Sequence, residues 1–246
     1  MVFKKLREEI TAYTERDPAA KSRLEVVLCY PGFHASMCHW ISRWFWGRNL
    51  YILGRFIAYI GRILTGIEIH PGAQIGRGFV IDHGSGVVIG ETAVIGENVT
   101  LYHDVTLGGV APSIDSSSQI GQKRHPTLED GVIVGSGAQI LGAITIGAHA
   151  RVGSNAVVTK DVPGAVTAVG IPAKAVMPRD REKAREFRAY ATMTEDWPDP
   201  ILQTIDALRQ EVAALSKKID ILDKNNQLSA EDKDANATSD HRKKAS

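Results

Sequence analysis

Apolar residues recur at every sixth position through the middle of this chain. Ile69, Ile75 and Ile81 begin the series, and after a two-residue slip it resumes at Ile89, Ile95, Leu101 and Leu107. A longer interruption follows, and the same spacing returns at Leu128, Val134, Ile140, Ile146, Val152 and Val158. The residue four places after an anchor is small or β-branched at nearly every step, as at Ala73, Ala93, Val99, Val105, Ala138, Ala150 and Ala156. Glycine directly follows the anchor at Gly76, Gly90, Gly96, Gly108, Gly135, Gly147 and Gly153. A helix repeats near 3.6 and a half-buried strand at 2, so neither accounts for the pattern. A period of six predicts a short strand and a sharp bend, three of which close a triangular coil of about eighteen residues. Each coil stacks its anchors on the coil below, with main-chain hydrogen bonds running between coils. A buried Ile, Leu or Val contributes roughly 1.5–3 kcal/mol to such a stack. Glycine serves where the bend needs positive φ or leaves no room for Cβ. The period itself does not set the hand of the coil, and parallel crossovers are generally right-handed.

The flanks read differently. Residues 1–66 carry helical patterning, with Asp17 as an N-cap ahead of Pro18 at a first helical position. Pro31-Gly32 marks a break between helices. The most apolar stretch, Trp40 to Ile67, is interrupted by Arg43, Arg48, Arg55 and Arg62. A membrane span needs about 20 predominantly apolar residues, so the stretch predicts helix packed on the protein body. The coil occupies residues 67–177 and is left through the turn Val169-Gly-Ile-Pro-Ala-Lys174. Residues 178–222 read as helices. Ile201, Ile205, Leu208, Val212, Leu215, Ile219 and Leu222 alternate spacings of four and three, the seam of a short coiled coil or of a helix packed on its own subunit. Residues 223–246 are polar and predicted to be disordered.

Composition narrows the class. The net charge of +1 gives no global field to attract nucleic acid or an anionic membrane. Cys29 and Cys38 belong to no CxxC or Cys/His cluster and read as free thiols in a reducing cytoplasm. The start, MVFKKLREEI, lacks the apolar core of a signal peptide, so a cytoplasmic location is expected.

Several segments, in order, resemble the serine acetyltransferase family. They are Arg16-Asp-Pro-Ala19, Gly32-Phe-His-Ala35, Ile67-Glu-Ile-His-Pro71, Ile81-Asp-His-Gly-Ser-Gly-Val-Val-Ile-Gly-Glu91, Val105-Thr-Leu-Gly-Gly109 and Arg124-His-Pro126. Together they span about residues 15–177. Hexapeptide repeats are shared by many acyltransferases; the Asp-His-Gly and Arg-His-Pro elements are the specific part. The resemblance implies an α+β protein, an N-terminal helical domain followed by a left-handed parallel β-helix and a C-terminal helix. It also implies an acetyl-CoA-dependent enzyme that acetylates L-serine in cysteine biosynthesis.

A hydroxyl is a poor nucleophile until a base takes its proton, and a histidine is the usual base near neutrality. The resemblance assigns that role to His83. A partner that orients the imidazole is also needed. The family uses an aspartate just before the Ile-His-Pro element, where this chain has Glu68, one methylene longer. The resemblance gives Asp17 and Asp82 to the ammonium of serine, Arg124 to its carboxylate through a planar fork, and His125 to a hydrogen bond with the bound amino acid. It places acetyl-CoA, the co-substrate, against Gly109, Ser136 and Ser154, with Arg151 and Lys174 toward its phosphates. No metal is implied, although His70, His83, His103 and His125 would suffice for a zinc site on paper.

The loop from Val110 to Lys123 is longer than the family's Gly-rich form, which leaves open which subunit receives Arg124. A homotrimer is expected, with L-cysteine as a feedback inhibitor competing at the serine site. The family's complex with cysteine synthase uses a C-terminal Ile; this chain ends in Ser246, which counts against that partnership. Two other readings remain: an O-acetyltransferase for a sugar or another small hydroxyl compound, and a repeat scaffold whose C-terminal helix binds a partner.

Overall fold

A computed structural model describes residues 2–110, 120–176, 209–212, 214–216 and 218. Four helices open the chain: α1 (Val2–Arg16), α2 (Arg23–Cys29), α3 (Pro31–Trp46) and α4 (Tyr51–Thr65). The helix expected to begin at Pro18 under an Asp17 cap is not there. Asp17 instead closes α1, its N–H bonded to Tyr13 O, and its Oδ1 accepts from the Ala19 N–H at 2.8 Å. The true cap is Ser22, whose hydroxyl accepts from Glu25 N while Glu25 accepts from Lys21 N. This reciprocal pair satisfies two free N–H groups at once and outcompetes a lone Asp-Pro signal. Pro31 starts α3, where its missing N–H costs nothing, and Gly66 ends α4 at φ +71.

The anchors then form short strands in order. The first coil holds β1 (Glu68–Ile69), β2 (Gln74–Ile75) and β3 (Val80–Ile81); the second β4 (Val88–Ile89), β5 (Val94–Ile95) and β6 (Thr100–Leu101). The third holds β7 (Thr106–Gly108), β8 (Thr127–Leu128) and β9 (Ile133–Val134); the fourth β10 (Gln139–Leu141), β11 (Thr145–Ile146) and β12 (Arg151–Val152). β13 (Val157–Val158) and β14 (Thr167–Val169) finish the stack. Parallel pairing builds three faces: β1-β4-β7-β10-β13, β2-β5-β8-β11, and β3-β6-β9-β12-β14. Uninterrupted turns advance by eighteen residues, as from Ile89 to Leu107 and from Ile140 to Val158. β15 (Lys174–Val176) folds back antiparallel on β14 and closes the third face.

The core is the stacked column of anchors with Ala73, Ala93, Val99, Val105, Ala138, Ala150 and Ala156 at the corners. Small or β-branched residues fill nearly all of the corners, and Phe79 takes one. The glycines that follow anchors are required by crowding: a Cβ on Gly153 would lie 2.7 Å from the Val169 side chain. Positive φ recurs elsewhere, at the bends along two of the edges. Gly78 and Gly131 share one edge with Asn98, and Gly86 and Gly137 share the other with Asp104 and Asn155, residue types that tolerate it.

Helices α1 and α3 pack on β3, with Ala12, Tyr13, Val26, Phe33 and Val80 forming a second apolar cluster. Arg16 ties the end of α1 to the coil, donating to Gly78 O at 2.8 Å, Thr100 Oγ at 3.2 Å and Asn98 Oδ1 at 2.8 Å. Beside it Glu9 is only 2% exposed, and its Oε2 has no partner among the described residues. Burial pushes the Glu9 carboxyl from its ordinary 4.5 up to about 7, against the pull of Lys5 and the Gly78 N–H. The folded chain therefore keeps a proton that the unfolded chain releases, and stability falls as pH rises from 4.5 through about 7. Glu9→Gln removes that loss. Urea unfolding should show the variant gaining on the parent between pH 4 and pH 8 by about 3 kcal/mol; equal slopes with pH would refute the assignment.

Helix α4 packs on α3 and β1, as expected, and its other side shows water a broad apolar face, with Ile52, Phe56, Tyr59, Ile63 and Leu64 largely exposed. No described helix is long and apolar enough to cross a membrane. A second unit, residues 193–246, is described by itself: residues 209–212, 214–216 and 218 are helical, and Val212 and Leu215 of the expected seam are exposed. The rest of the seam, residues 178–208 and the tail 223–246 lie outside the described residues.

Candidate active site

The two-residue slip between Ile81 and Ile89 is a bulge on the edge joining the third face to the first. It carries Asp82, His83 and Gly84. His83 has φ +61, and the Gly84 N–H donates to Asp82 O at 2.7 Å, a three-residue turn centred on the histidine. A non-glycine residue in this region costs about 1–3 kcal/mol, and such strain collects where a side chain must be aimed. The His83 side chain is 74% exposed, and its ring meets His103 of the next coil edge-to-face at 5.8 Å. His103 Nδ1 is buried with no partner among the described residues. Farther along this edge, Ser136 and Ser154 occupy the same bend position as His103 in successive coils, their hydroxyls 3.0 Å apart.

Asp82 and Asp17 share this edge. Desolvation, with Asp17 nearby, raises the Asp82 carboxyl above its ordinary value, although His83 opposes the shift. Asp82 Oδ1 lies 3.9 Å from His83 Nε2, beyond hydrogen-bond distance. Asp17 arrives from the end of α1, fixed by the Arg16 clamp, and Tyr30 donates to its Oδ2 at 2.5 Å. Glu68, on β1, bonds to Arg62 at 2.8 Å, and both side chains are substantially exposed. Among the described contacts Glu68 is joined to Arg62 and not to His83.

Arg124 and His125 stand on another edge, between the first and second faces. Arg124 Nη2 donates to Glu91 at 2.8 Å, and that bond holds the Glu91 carboxyl below its ordinary range. Thr92 Oγ1 accepts from the N–H groups of both Arg124 and His125 at 3.0 Å. Lys123 Nζ donates to Thr92 O at 2.7 Å and closes the loop end onto β4–β5. His125 Nδ1 accepts from Thr92 N at 3.1 Å, so its ring proton sits on Nε2. Burial and Arg124 lower the His125 imidazole, which favours the neutral ring. The ring packs on Gly90, where any Cβ would overlap it. His70 completes the group; burial and Arg55 push it down to about 4.

The sequence-predicted residues thus fall into two clusters. Asp17, Asp82, His83, Ser136 and Ser154 are on one edge; Gly109, Arg124 and His125 are on another. Arg151 is half-buried on β12, and Lys174 is exposed on β15. His70 and His125 are on a different edge from His83 and His103, and no three potential metal ligands gather among the described residues. Sequence reasoning missed Tyr30, Glu91 and Thr92 as site residues. Glu91 ended a quoted motif and Thr92 followed it, but their spacing from Arg124 gave no sign of contact.

Comparison with known proteins identifies the family and the fold. The family model described as serine acetyltransferase, N-terminal, matches residues 1–38, and the bacterial transferase hexapeptide model (six repeats) matches residues 125–160. A serine acetyltransferase of Bacillus pumilus is 44% identical over 225 residues, 89% of this chain and 98% of the relative. One from Mycobacterium tuberculosis is 46% identical over 212 residues, 85% of this chain and 86% of the relative. Serine acetyltransferase from Neisseria gonorrhoeae, solved in complex with serine, superposes with a TM-score of 0.65 at 39% identity over 71% of this chain and 69% of that one. The soybean enzyme complexed with serine gives 0.66 at 42% identity over 70% and 68%. A further serine acetyltransferase, in complex with cysteine, gives 0.66 at 36% identity over 71% and 70%. The three-faced coil is therefore the left-handed parallel β-helix, and by fold, motif and full-length similarity the chain belongs to the serine acetyltransferase family.

Proposed function

We propose that the protein transfers acetyl from acetyl-CoA to the hydroxyl of L-serine, giving O-acetyl-L-serine and CoA. The observation that carries this reading is the pair of half-sites: carboxylates and an exposed imidazole on one edge, a guanidinium and a neutral imidazole on another. An α-amino acid presents both charges within a few ångströms. A single copy keeps the half-sites apart, so each site is completed by the neighbouring copy in a homotrimer. L-Cysteine, bound by a solved relative, fits the same zwitterion frame and would compete with serine.

In the proposed reaction His83 takes the serine hydroxyl proton as the oxygen attacks the thioester carbonyl. The new C–O bond forms, the carbonyl carries the negative charge, and His103 offers an N–H toward it. Collapse breaks the C–S bond, and His83 returns the proton to the departing thiolate. No acyl-enzyme intervenes. The pantetheine arm lies along Ser136 and Ser154 beside Gly109 of the adjacent copy, with Arg151 and Lys174 toward the phosphates. Glu68 is assigned to orient His83, which requires its carboxylate to turn away from Arg62.

A thiol-release assay with acetyl-CoA and either L-serine or a panel of sugars tests the acceptor. L-Serine is expected to be preferred by at least about a hundredfold in kcat/KM, because a sugar leaves the charged half-sites unpaired. A sugar acetylated as well as serine would overturn the assignment.

A further inference from the structure

We propose that Tyr30 is a positioning residue for the amino-acid acceptor: its hydroxyl holds the Asp17 carboxylate in the orientation that receives the acceptor's ammonium. The proposal rests on the ammonium role of Asp17 put forward above. The Tyr30 hydroxyl meets Asp17 Oδ2 at 2.5 Å, the short range of hydrogen bonds to an ionised acceptor. Asp17 Oδ1 is held by the Ala19 N–H at 2.8 Å. With both oxygens tethered the carboxylate cannot rotate, and its remaining lone pairs point in fixed directions.

Tyr30 is itself well fixed. It is the single residue between α2 and α3; its N–H donates to Val26 O at 3.3 Å, and its carbonyl accepts from His34 N at 3.2 Å. Its ring packs edge-to-face on Tyr13 at 5.6 Å. Tyr13 is fully buried, and its hydroxyl accepts from the Ile81 N–H at 3.2 Å, one residue before Asp82. Asp17 and Asp82 are thereby hung on one frame that runs from α1 through two tyrosines to the bulge bearing His83. Two neighbouring carboxylates repel when no ammonium lies between them. The Tyr30 hydroxyl opposes that repulsion in the empty site. Burial and the adjacent Asp17 raise this hydroxyl above its ordinary value, so it stays a donor at working pH.

The test compares the full-length parent with Tyr30→Phe, Asp17→Asn and the double variant. Phenylalanine keeps the ring packing, and asparagine keeps the bond to Ala19, so thermal unfolding should match the parent in each. Tyr30→Phe is expected to raise the KM for L-serine about tenfold, with kcat and the KM for acetyl-CoA changed by less than about threefold. Asp17→Asn should raise the serine KM at least as much, and adding Tyr30→Phe to it should change little further. An unchanged serine KM in Tyr30→Phe, with Asp17→Asn impaired, overturns the proposal alone. Full additivity in the double variant also overturns it, because Tyr30 would then act other than through Asp17. An unimpaired Asp17→Asn removes the ammonium role of Asp17 and the proposal with it.

Discussion

His83→Ala is expected to lower kcat by about 10²–10⁴-fold while both KM values stay near those of the parent. The size follows from the role. Without a base the serine hydroxyl must lose its proton to water: Asp82 is committed to the ammonium, and His103, whose ring lies 5.8 Å from that of His83, is committed to the carbonyl oxygen. The fold should survive, because the side chain is 74% exposed and supports no packing in the core. Its positive φ is supported by Gly84 and Gly86 on the same bulge, both also at positive φ. The measurement is steady-state turnover with L-serine beside a thermal unfolding curve. A variant that turns over within tenfold of the parent, with an intact fold, would exclude His83 as the base. A variant that unfolds early would instead make the bulge a structural element.

The coil was legible because its signal is redundant. Every anchor from Ile69 to Val158 fell within a strand, and nearly all are fully buried. Stacked coils repeat the same demand at each step, so a period can be counted even when single residues deviate. Handedness was not legible, because left- and right-handed coils bury the same anchors; only similarity to solved structures decided it. The two-residue slip was visible as an interruption, but its purpose was not. A bulge that lifts His83 out of the stack leaves the same trace as a harmless insertion.

The site was legible residue by residue and illegible as an arrangement. Motifs named Asp82, His83, Arg124 and His125, whereas the bonds among Arg124, Glu91 and Thr92 join residues more than thirty positions apart. Such contacts are set by the coil register plus the inserted loop, which no local pattern reports. Asp17 shows the opposite failure. Its local signal, a capping residue before proline, pointed to a helix start; α1 instead continued to Arg16 because Arg16 gains four acceptors on the coil. Tertiary hydrogen bonds overrode the capping preference, and the aspartate was carried to the edge of the site, where Ala19 and Tyr30 hold it. Tyr30 carried no signal at all, since a tyrosine between two helices reads as packing.

Arg124→Ala is expected to raise the KM for L-serine by about 10–100-fold and to leave that for acetyl-CoA within about twofold. Removing the guanidinium strips the acceptor's carboxylate of its cation, and Lys at this position should recover only part because it lacks the planar fork. Stability should barely move, since the ion pair with Glu91 is largely exposed and such pairs contribute about 0–1 kcal/mol. The same variant also separates a shared site from a private one. In a mixture co-expressed with His83→Ala, each chain carries one intact half-site. If neighbouring copies complete each other, about a quarter of the sites regain both halves by chance, and serine acetylation rises well above either variant alone. If one copy holds the whole site, no pairing restores it, and the mixture stays at the average of the two. That second outcome would refute the shared-site arrangement, and would require the loop bearing Arg124 to fold across a face of its own coil.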